Sequence, residues 1–533
     1  MTSSSASLSI TVQSPQGEIV LPFQSGTSLR DILLAGGVAV RSSCAGVASC
    51  GLCQVRVAES ASIPFTLGER RRLTSIQLGE GIRLSCQLVP ATDLHVSLVH
   101  PEVKMNWRAL REDEFSKTIP FALRESGVRY GVAIDLGTTH IRLTFWDLIA
   151  GERIAGRACL NPQGSYGADV LSRLMEATRS IEIFNKINEL VSFGIADVLA
   201  EIAAQLAIRL EDVGKILLVG NTAMLSLLSG KNYAELLDPQ NWTRCIDCQP
   251  ADTGFLSKAW GLNQHAQIRF VAPLGGFIGS DLLAGVLATR LIEQPAGSLL
   301  IDFGTNSEMA LWDGHTLHVT ATAGGPAFEG SGISCGMQGE TGAIFRVDDA
   351  GENSFSIQVL GDVEPQGICG SGLIDAIAWL RRKGQLDKVG RFTRRESEGM
   401  ILYEGTQRIV LKRSDIDVMQ RAKAAIGGGV QWLCRQAGMP VNALHAVYAS
   451  GAFGRLLNVE NAQQIGLLPV LPVGKVCLEG NTALAGCEAL LTSEQGEQAL
   501  AAILAVSKVY NLAEDEGFEA LFVENLYLQA LQE

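Results

Sequence analysis

One motif occurs twice in this chain: GVAIDLGTTHIRLTFWD around Asp135, and SLLIDFGTNSEMALWDG around Asp302. Each copy reads as an apolar strand, an Asp-x-Gly-Thr turn and a second strand, so the sequence is internally duplicated. The duplication predicts two similar lobes that face one another across a cleft, the natural place for a ligand. A glycine between strand ends lets the turn press its amides against phosphate oxygens. Threonine hydroxyls add donors, and an aspartate at the strand end can hold hydrated magnesium. Two such turns at lobe scale point to nucleotide binding.

Composition limits what surrounds that cleft. The chain has 533 residues and 43 basic against 56 acidic side chains, a net charge of −13; at roughly 150 residues per domain this is about three or four domains. Scattered lysines on an acidic chain argue against a broad nucleic-acid surface, which needs a basic stripe to displace counterions. No run of about 18 apolar residues free of charge or glycine breaks suggests a membrane helix. The start, MTSSSASLSITV, lacks a basic n-region and an apolar stretch, so a cytoplasmic location is expected. In that compartment the 12 cysteines stay reduced, and some are candidates for metal binding.

Along the chain, Leu8, Ile10 and Val12 alternate, a Ser14-Pro15-Gln16-Gly17 turn follows, and Ile19, Leu21 and Phe23 alternate again, which predicts a β-hairpin. Leu29, Ile32 and Leu33 recur at helical spacing up to Gly36-Gly37, a pair suited to ending a helix in the left-handed region. Further strands are expected at Cys53–Val57, at Ile82–Leu88 with Cys86 on it, and at Leu94–Leu98. Residues 1–100 are thus expected to form one small domain. Residues 101–129, charged and interrupted, read as a linker that docks on a neighbour through Trp107 and Phe121. From Tyr130, strand-like runs alternate with amphipathic helices in an α/β pattern, with a first lobe expected over 130–297 and a second over 298–533.

Cys44, Cys50 and Cys53 are spaced Cys-x5-Cys-x2-Cys, with Cys86 as a fourth thiol, in a loop, SSCAGVASCGLC, whose small residues let backbone amides approach inorganic sulfide. The region resembles the 2Fe-2S ferredoxins, a β-grasp fold, and its first gap matches the adrenodoxin-like variant. Buried reduced thiols and a zinc site are the alternatives, although zinc usually uses paired short spacings and the second Cys-x-x-Cys is absent. Cys245 and Cys248 form a separate Cys-x-x-Cys that reads as incidental or as a redox pair. Cys159, Cys434, Cys477 and Cys487 read as small core residues, while Cys335 and Cys369, in glycine-rich motifs of the second lobe, lie near the expected docking or nucleotide region or serve tight packing.

The body resembles the actin, hexokinase and chaperone ATPase superfamily, a two-lobed RNase H-like fold. The resemblance implies a first phosphate motif of Asp135, Gly137, Thr138 and Thr139, and a second of Asp302, Gly304, Thr305 and Asn306. GSDLLAGVLATRL resembles the first connecting helix, placing Asp281 near the metal or the attacking water; EGNTALAGCEALL resembles the second. AVYASGAFGRLLN resembles the adenosine motif, with Ser450, Gly451 and Gly454 under the nucleoside. Either Asp302 or Asp281 could orient water for hydrolysis. His140, where a third Thr is familiar, is expected to be exposed on the hairpin.

NPQGSYGADVLSR, LLVGNTAM, ATAGGPAFEGSGISCGM and GICGSGLIDA complete a resemblance, over nearly the whole chain, to the reductive activators of corrinoid-dependent methyltransferases. It implies that a cobalt(II) corrinoid protein is reduced to cobalt(I) by an N-terminal 2Fe-2S domain while ATP and Mg2+ are used, with an upstream electron donor and, by resemblance only, a homodimer. Plant-type clusters sit at about −400 mV and cobalt(I) demands a lower potential, each 100 mV of shortfall costing roughly 2.3 kcal/mol for one electron. Two rivals are an ATP-driven electron donor to another low-potential enzyme and a non-catalytic, nucleotide-sensing ferredoxin adaptor.

Overall fold

The opening hairpin forms as the alternation predicts. In the computed structural model, Ser9–Ser14 (β1) pairs antiparallel with Gly17–Pro22 (β2), Ser14 opposite Gly17, and buries Ile10 and Val12 in a first core. The structure describes residues 8–14, 17–38, 40, 46, 51, 53–73, 75–99, 105–111, 114–115, 127–167, 169–322, 324–351, 354–393, 399–406, 408–451, 453 and 456–531. Ser28 caps the helix Leu29–Ala35 by accepting from the Asp31 amide at 3.2 Å. The helix stops at Gly36-Gly37, where Gly37 has φ +82° and a methyl on Gly36 would fall 2.4 Å from Leu21 Cδ2.

Gln54–Val57 (β3), Ile82–Leu84 (β4) and Leu94–Leu98 (β5) complete a five-stranded sheet in the order β2-β1-β5-β3-β4, with β1 and β5 parallel. This is the expected β-grasp arrangement of a mixed sheet over one helix. One expectation fails locally. The strand through Ile82 ends at Leu84, where the Gln87 amide turns back onto the Leu84 carbonyl at 2.9 Å, so Cys86 sits in a turn and not on a strand.

The linker docks, as expected. Trp107 Nε1 donates to the Gly194 carbonyl at 3.1 Å, and Met105 occupies the space a side chain at Gly194 would need. Arg108–Ala109 (β6) even joins the next sheet as its edge strand. Phe121, the other expected anchor, lies outside the described residues.

The duplication is written into the topology of the body. Tyr130–Leu136 (β7), His140–Asp147 (β8), Glu152–Leu160 (β9), Val213–Gly220 (β10) and Gln267–Phe270 (β11) form a sheet in the order β11-β10-β7-β8-β9-β6. In the second half come Ser298–Phe303 (β12), Ser307–Trp312 (β13) and Leu317–Thr322 (β14). A small sheet of Ala343–Gly351 (β15), Ser354–Val359 (β16) and Gly367–Ile368 (β17), and a hairpin of Gly399–Glu404 (β18) and Arg408–Lys412 (β19), follow as an insertion. Ala446–Gly451 (β20), Val476–Leu478 (β21) and Ser507–Tyr510 (β22) then close a sheet ordered β21-β20-β12-β13-β14-β22. In both sheets the strand carrying the Asp is parallel to the strand on one side and antiparallel to the strand on the other.

Between the sheets lie the helices Ser280–Thr289 and Thr482–Thr492, apolar nearly all round, as a helix covered on both sides must be. Leu282, Leu283 and Val286 from one, and Leu484, Cys487 and Leu490 from the other, share a core with Ala133 and Val219 of the first sheet and Leu300 and Ala310 of the second. Small residues let the helices touch: a methyl on Gly486 would lie 2.0 Å from the Ala284 carbonyl oxygen. Among the described residues, no helix is long and apolar enough to cross a membrane. Replacing Gly486 by Ala therefore overpacks the crossing and is expected to cost about 1–3 kcal/mol, read as a lower urea midpoint for unfolding of the body.

Candidate functional site

Both Asp-x-Gly-Thr turns are tight for steric reasons. In the first, the Gly137 amide donates to the His140 carbonyl at 3.0 Å, and a methyl on Gly137 would approach that oxygen to 2.8 Å. In the second, a methyl on Gly304 would lie 3.1 Å from the Asn306 carbonyl. The turns meet directly. Thr139 Oγ1 lies 2.8 Å from Thr305 Oγ1, and both hydroxyls donate to Glu329 Oε2, at 2.7 and 3.1 Å. Thr138 and Thr305 are buried, and Asn306 Nδ2 is buried without a hydrogen-bond partner among the described residues. An orphaned donor at this position fits an anionic oxygen.

Around this clasp the acidic groups crowd. Asp135, near the end of β7, accepts from Asn481 Nδ2 at 2.6 Å and faces Arg142 Nη1 at 3.7 Å. Asn481 also caps the helix Thr482–Thr492 by accepting from the Leu484 amide at 2.7 Å, so one side chain ties the second connecting helix to the first turn. Burial, with the charges of Asp135 and Asp302 close by, pushes Asp281 up to about 8. Burial and the Asp135 charge push Asp302 up to about 7 against the opposing pull of Arg142. Glu308 is raised well above the carboxylate range by burial and by Asp281 and Asp302, and its Oε2 has no hydrogen-bond partner among the described residues. Asp135 and Glu329 are raised too, first by burial. Such mutual destabilisation of carboxylates is relieved by a cation.

The structure corrects one reading of this hairpin. His140 is half-buried, not exposed, and burial together with the Arg142 and Arg108 charges pushes its imidazole down to about 3. It stays neutral.

In the adenosine-like motif, Ser450 lies opposite Asp302 and Gly451 opposite Phe303 in the β12–β20 register. Gly451 has φ +92°, and a methyl there would strike the Phe303 carbonyl at 2.2 Å and Asp302 Oδ1 at 2.4 Å. Ser450 is buried with its hydroxyl 2.7 Å from Thr482 Oγ1 and bonded to the Gly480 carbonyl at 3.2 Å, which anchors the connecting helix. Gly454 lies outside the described residues.

Of the four cluster cysteines, Cys44 and Cys50 lie outside the described residues. Cys53 Sγ and Cys86 Sγ are 3.3 Å apart, too long for a disulfide and close enough to share one metal. The close Cys86 sulfur lowers the buried Cys53 thiol toward the thiolate form that binds metal. Gly46 and Gly51 of the same loop have φ of +94° and +72°. The donor set and its glycine-lined loop fit an iron-sulfur cluster. Cys245 and Cys248 lack such activation: burial raises both, Cys248 to about 12. Cys369 is packed with its sulfur 3.5 Å from the Ile344 carbonyl.

Comparison with known proteins agrees with this division of labour. Residues 13–91 match the 2Fe-2S iron-sulfur cluster binding domain, 130–294 the RACo middle region, and 296–533 the C-terminal domain of RACo, the ASKHA domain. The corrinoid activation enzyme RamQ of Eubacterium limosum is 32% identical over 419 residues, 74% of this chain and 70% of the relative. The chain belongs to this family of corrinoid activators. The [Co(II) methylated amine-specific corrinoid protein] reductase of Methanosarcina barkeri is 29% identical over 67% of this chain and 68% of its own length. A solved reductive activator for a corrinoid, iron-sulfur protein has the same fold, with a TM-score of 0.66 at 24% identity over 98% of this chain and 99% of that one.

In this corrinoid activator the sequence reading missed Arg142, Glu308, Glu329 and Asn481. Glu308 carried a signal, as the one carboxylate in SEMALW, a strand whose residues are all buried. Arg142 lies opposite Asp135 across the β7–β8 hairpin, a signal in the strand register, while Glu329 and Asn481 acquire their place only through the fold. Because burial raises Asp302, its proton is bound in the folded state, and the stability this gives is present at low pH and lost as pH rises through about 7. In magnesium-free buffer, Asp302→Asn is therefore expected to melt higher than wild type at pH 8, with the difference shrinking as pH falls through about 7 and vanishing only below about pH 4, where the unfolded carboxyl is protonated too, as read by thermal denaturation.

Proposed function

We propose that this chain is an ATP-dependent reductive activator that delivers one electron to a cobalt(II) corrinoid protein and regenerates cobalt(I). What supports the reading most is its kinship with the corrinoid activation enzyme RamQ over 74% of the chain, combined with the clasp of Thr139, Thr305 and Glu329 between the duplicated turns. The working units are residues 1–100, 101–129, 130–297 and 298–533.

Cys44, Cys50, Cys53 and Cys86 would hold a 2Fe-2S cluster, which supplies a one-electron carrier of low potential. In the cleft, the amides beyond Gly137 and Gly304, the hydroxyls of Thr138, Thr139 and Thr305, and the Asn306 amide would receive the phosphates of ATP. Mg2+ keeps several waters and binds through one or two carboxylates together with substrate phosphates. Asp135 and Asp302 would take that role. Either Asp302 or Asp281, both raised by burial and by neighbouring carboxylates, would orient the attacking water and take its proton once a bound cation holds the carboxylates ionised. Gly451 and Gly454 would leave room for the nucleoside, with Ser450 positioning the strand.

The clasp that phosphates must enter joins both lobes, so nucleotide binding and hydrolysis favour different lobe arrangements and thereby change the affinity for a docked corrinoid protein. Asp302→Ala is expected to lower ATP-dependent cobalt(II) reduction by at least about 100-fold; an unchanged rate in visible-absorbance assays makes the lobes a passive scaffold. Cys50→Ser should abolish electron transfer while leaving nucleotide affinity within about twofold, measured by calorimetry. Simultaneous loss of both contradicts separate sites.

A further inference from the structure

Outside the cleft, a buried ion pair crosses between units where the helix Leu29–Ala35 meets the helix Val170–Ala177 of the first lobe. Arg30 Nη2 donates to Glu176 Oε1 at 2.7 Å, the side chains being 2% and 1% exposed. Arg179 Nη1 bonds Asp31 Oδ1 at 3.0 Å and Glu176 Oε2 at 3.1 Å, so the network is balanced across the junction. Leu34 is buried in the core of the first lobe. Lys186 Nζ donates to the Leu34 and Ala35 carbonyls at 3.2 and 3.3 Å, at the helix end that carries partial negative charge.

The same arginine also reaches toward the sulfur ligands. A methyl on Gly46, between Cys44 and Cys50 in sequence, would lie 3.4 Å from Arg30 Nη1 and 3.8 Å from Cys86 Cβ. The Arg30 amide donates to the Ser85 carbonyl at 3.0 Å, next to Cys86. Its Nε is buried with no hydrogen-bond partner among the described residues. A cavity of about 300 Å³, lined by Ser28, Arg30, Asp31, Gly46, Cys86 and Glu176 among others, opens beside it. One buried guanidinium therefore stands between the ligands of the electron carrier and a carboxylate of a different lobe.

We infer that Glu176 lowers the reduction potential at the four cysteines by opposing the charge of Arg30, and that reduction in turn loosens the docking of residues 1–100 on the first lobe. The inference rests on the cluster assignment above. An electron arriving from the upstream donor places negative charge beside Arg30, with no bond made or broken in the polypeptide. Arg30 stabilises that charge; Glu176, held against Arg30 by docking, opposes it, and burial leaves both fields poorly screened. Arg179 and Lys186 arrive from the same lobe, but Arg179 is 43% exposed and paired with Asp31, and Lys186 lies at the far end of the helix on the Leu34 and Ala35 carbonyls, so solvent screens them more than the buried Glu176. Docking thus favours the oxidised state, and by linkage reduction disfavours docking by the same free energy. The loaded carrier is the form that lets go of the lobe and is free to meet the cobalt.

Anaerobic redox titration of the whole protein tests this with Glu176→Gln and the charge-keeping Glu176→Asp. At the wild-type midpoint, E176Q is expected to hold roughly three- to tenfold more reduced protein, tenfold being about 59 mV for one electron, while E176D stays near wild type. Small-angle scattering should give a larger radius of gyration for dithionite-reduced than for oxidised wild type, and a large one for E176Q in both states. An E176Q potential equal to wild type, or a shift reproduced by E176D, or identical scattering in the two redox states of the wild type, overturns the inference and leaves the cluster standing. Protein without iron overturns the cluster assignment and the inference together.

Discussion

The hydroxyls of Thr139 and Thr305 share the carboxylate of Glu329, and the architecture of the body serves to bring them there. Each threonine sits on a tight turn that begins with glycine, at the end of an interior, largely buried strand that carries the Asp. The sheets are held in register by the two apolar helices between them. Asn481 links one helix to Asp135, and the Gly279 amide at the start of the other points at Glu308 Oε1 at 3.4 Å. A shift of either helix is felt at the carboxylates.

Electrostatics gives that junction its direction. Carboxylates forced together in a buried cleft raise one another's proton affinity, and a bound cation would favour their ionised forms instead. The linker feels the same place: a methyl on Gly480 would meet the Phe115 carbonyl at 2.8 Å, and the Asn481 amide donates to the Glu114 carbonyl at 3.1 Å. The segment leading from the ferredoxin-like unit thus packs against the residue that holds Asp135. Together with the Arg30–Glu176 contact, it gives the electron-carrying unit two points of attachment to the nucleotide-binding body.

Much of this was legible in sequence because it is encoded locally. The duplicated turns, both connecting helices and the opening hairpin follow from apolar runs, glycines and turn residues at fixed spacing, and five strands of each sheet reproduce the duplication, the sixth, edge strand differing in origin and direction. The losses have physical causes. Cys86 was expected on a strand because Leu84, Cys86 and Leu88 alternate, but the pairing of β3 with β4 ends at Leu84 and a turn takes over. His140 looked exposed because a hairpin tip usually is; here the tip faces the linker and the second lobe. Glu329 and Asn481 converge on the Asp-bearing turns from distant segments, and no spacing announces that, whereas Arg142 follows from the hairpin register that sets it opposite Asp135.

The central claim is that the nucleotide drives the electron uphill. The most direct measurement is the equilibrium yield of cobalt(I) on a purified corrinoid protein, followed by visible absorbance at a fixed poised potential, with ATP and with a non-hydrolysable analogue. The account predicts that cobalt(I) exceeds the level set by the two reduction potentials only with ATP. Equal yields with the analogue would contradict it.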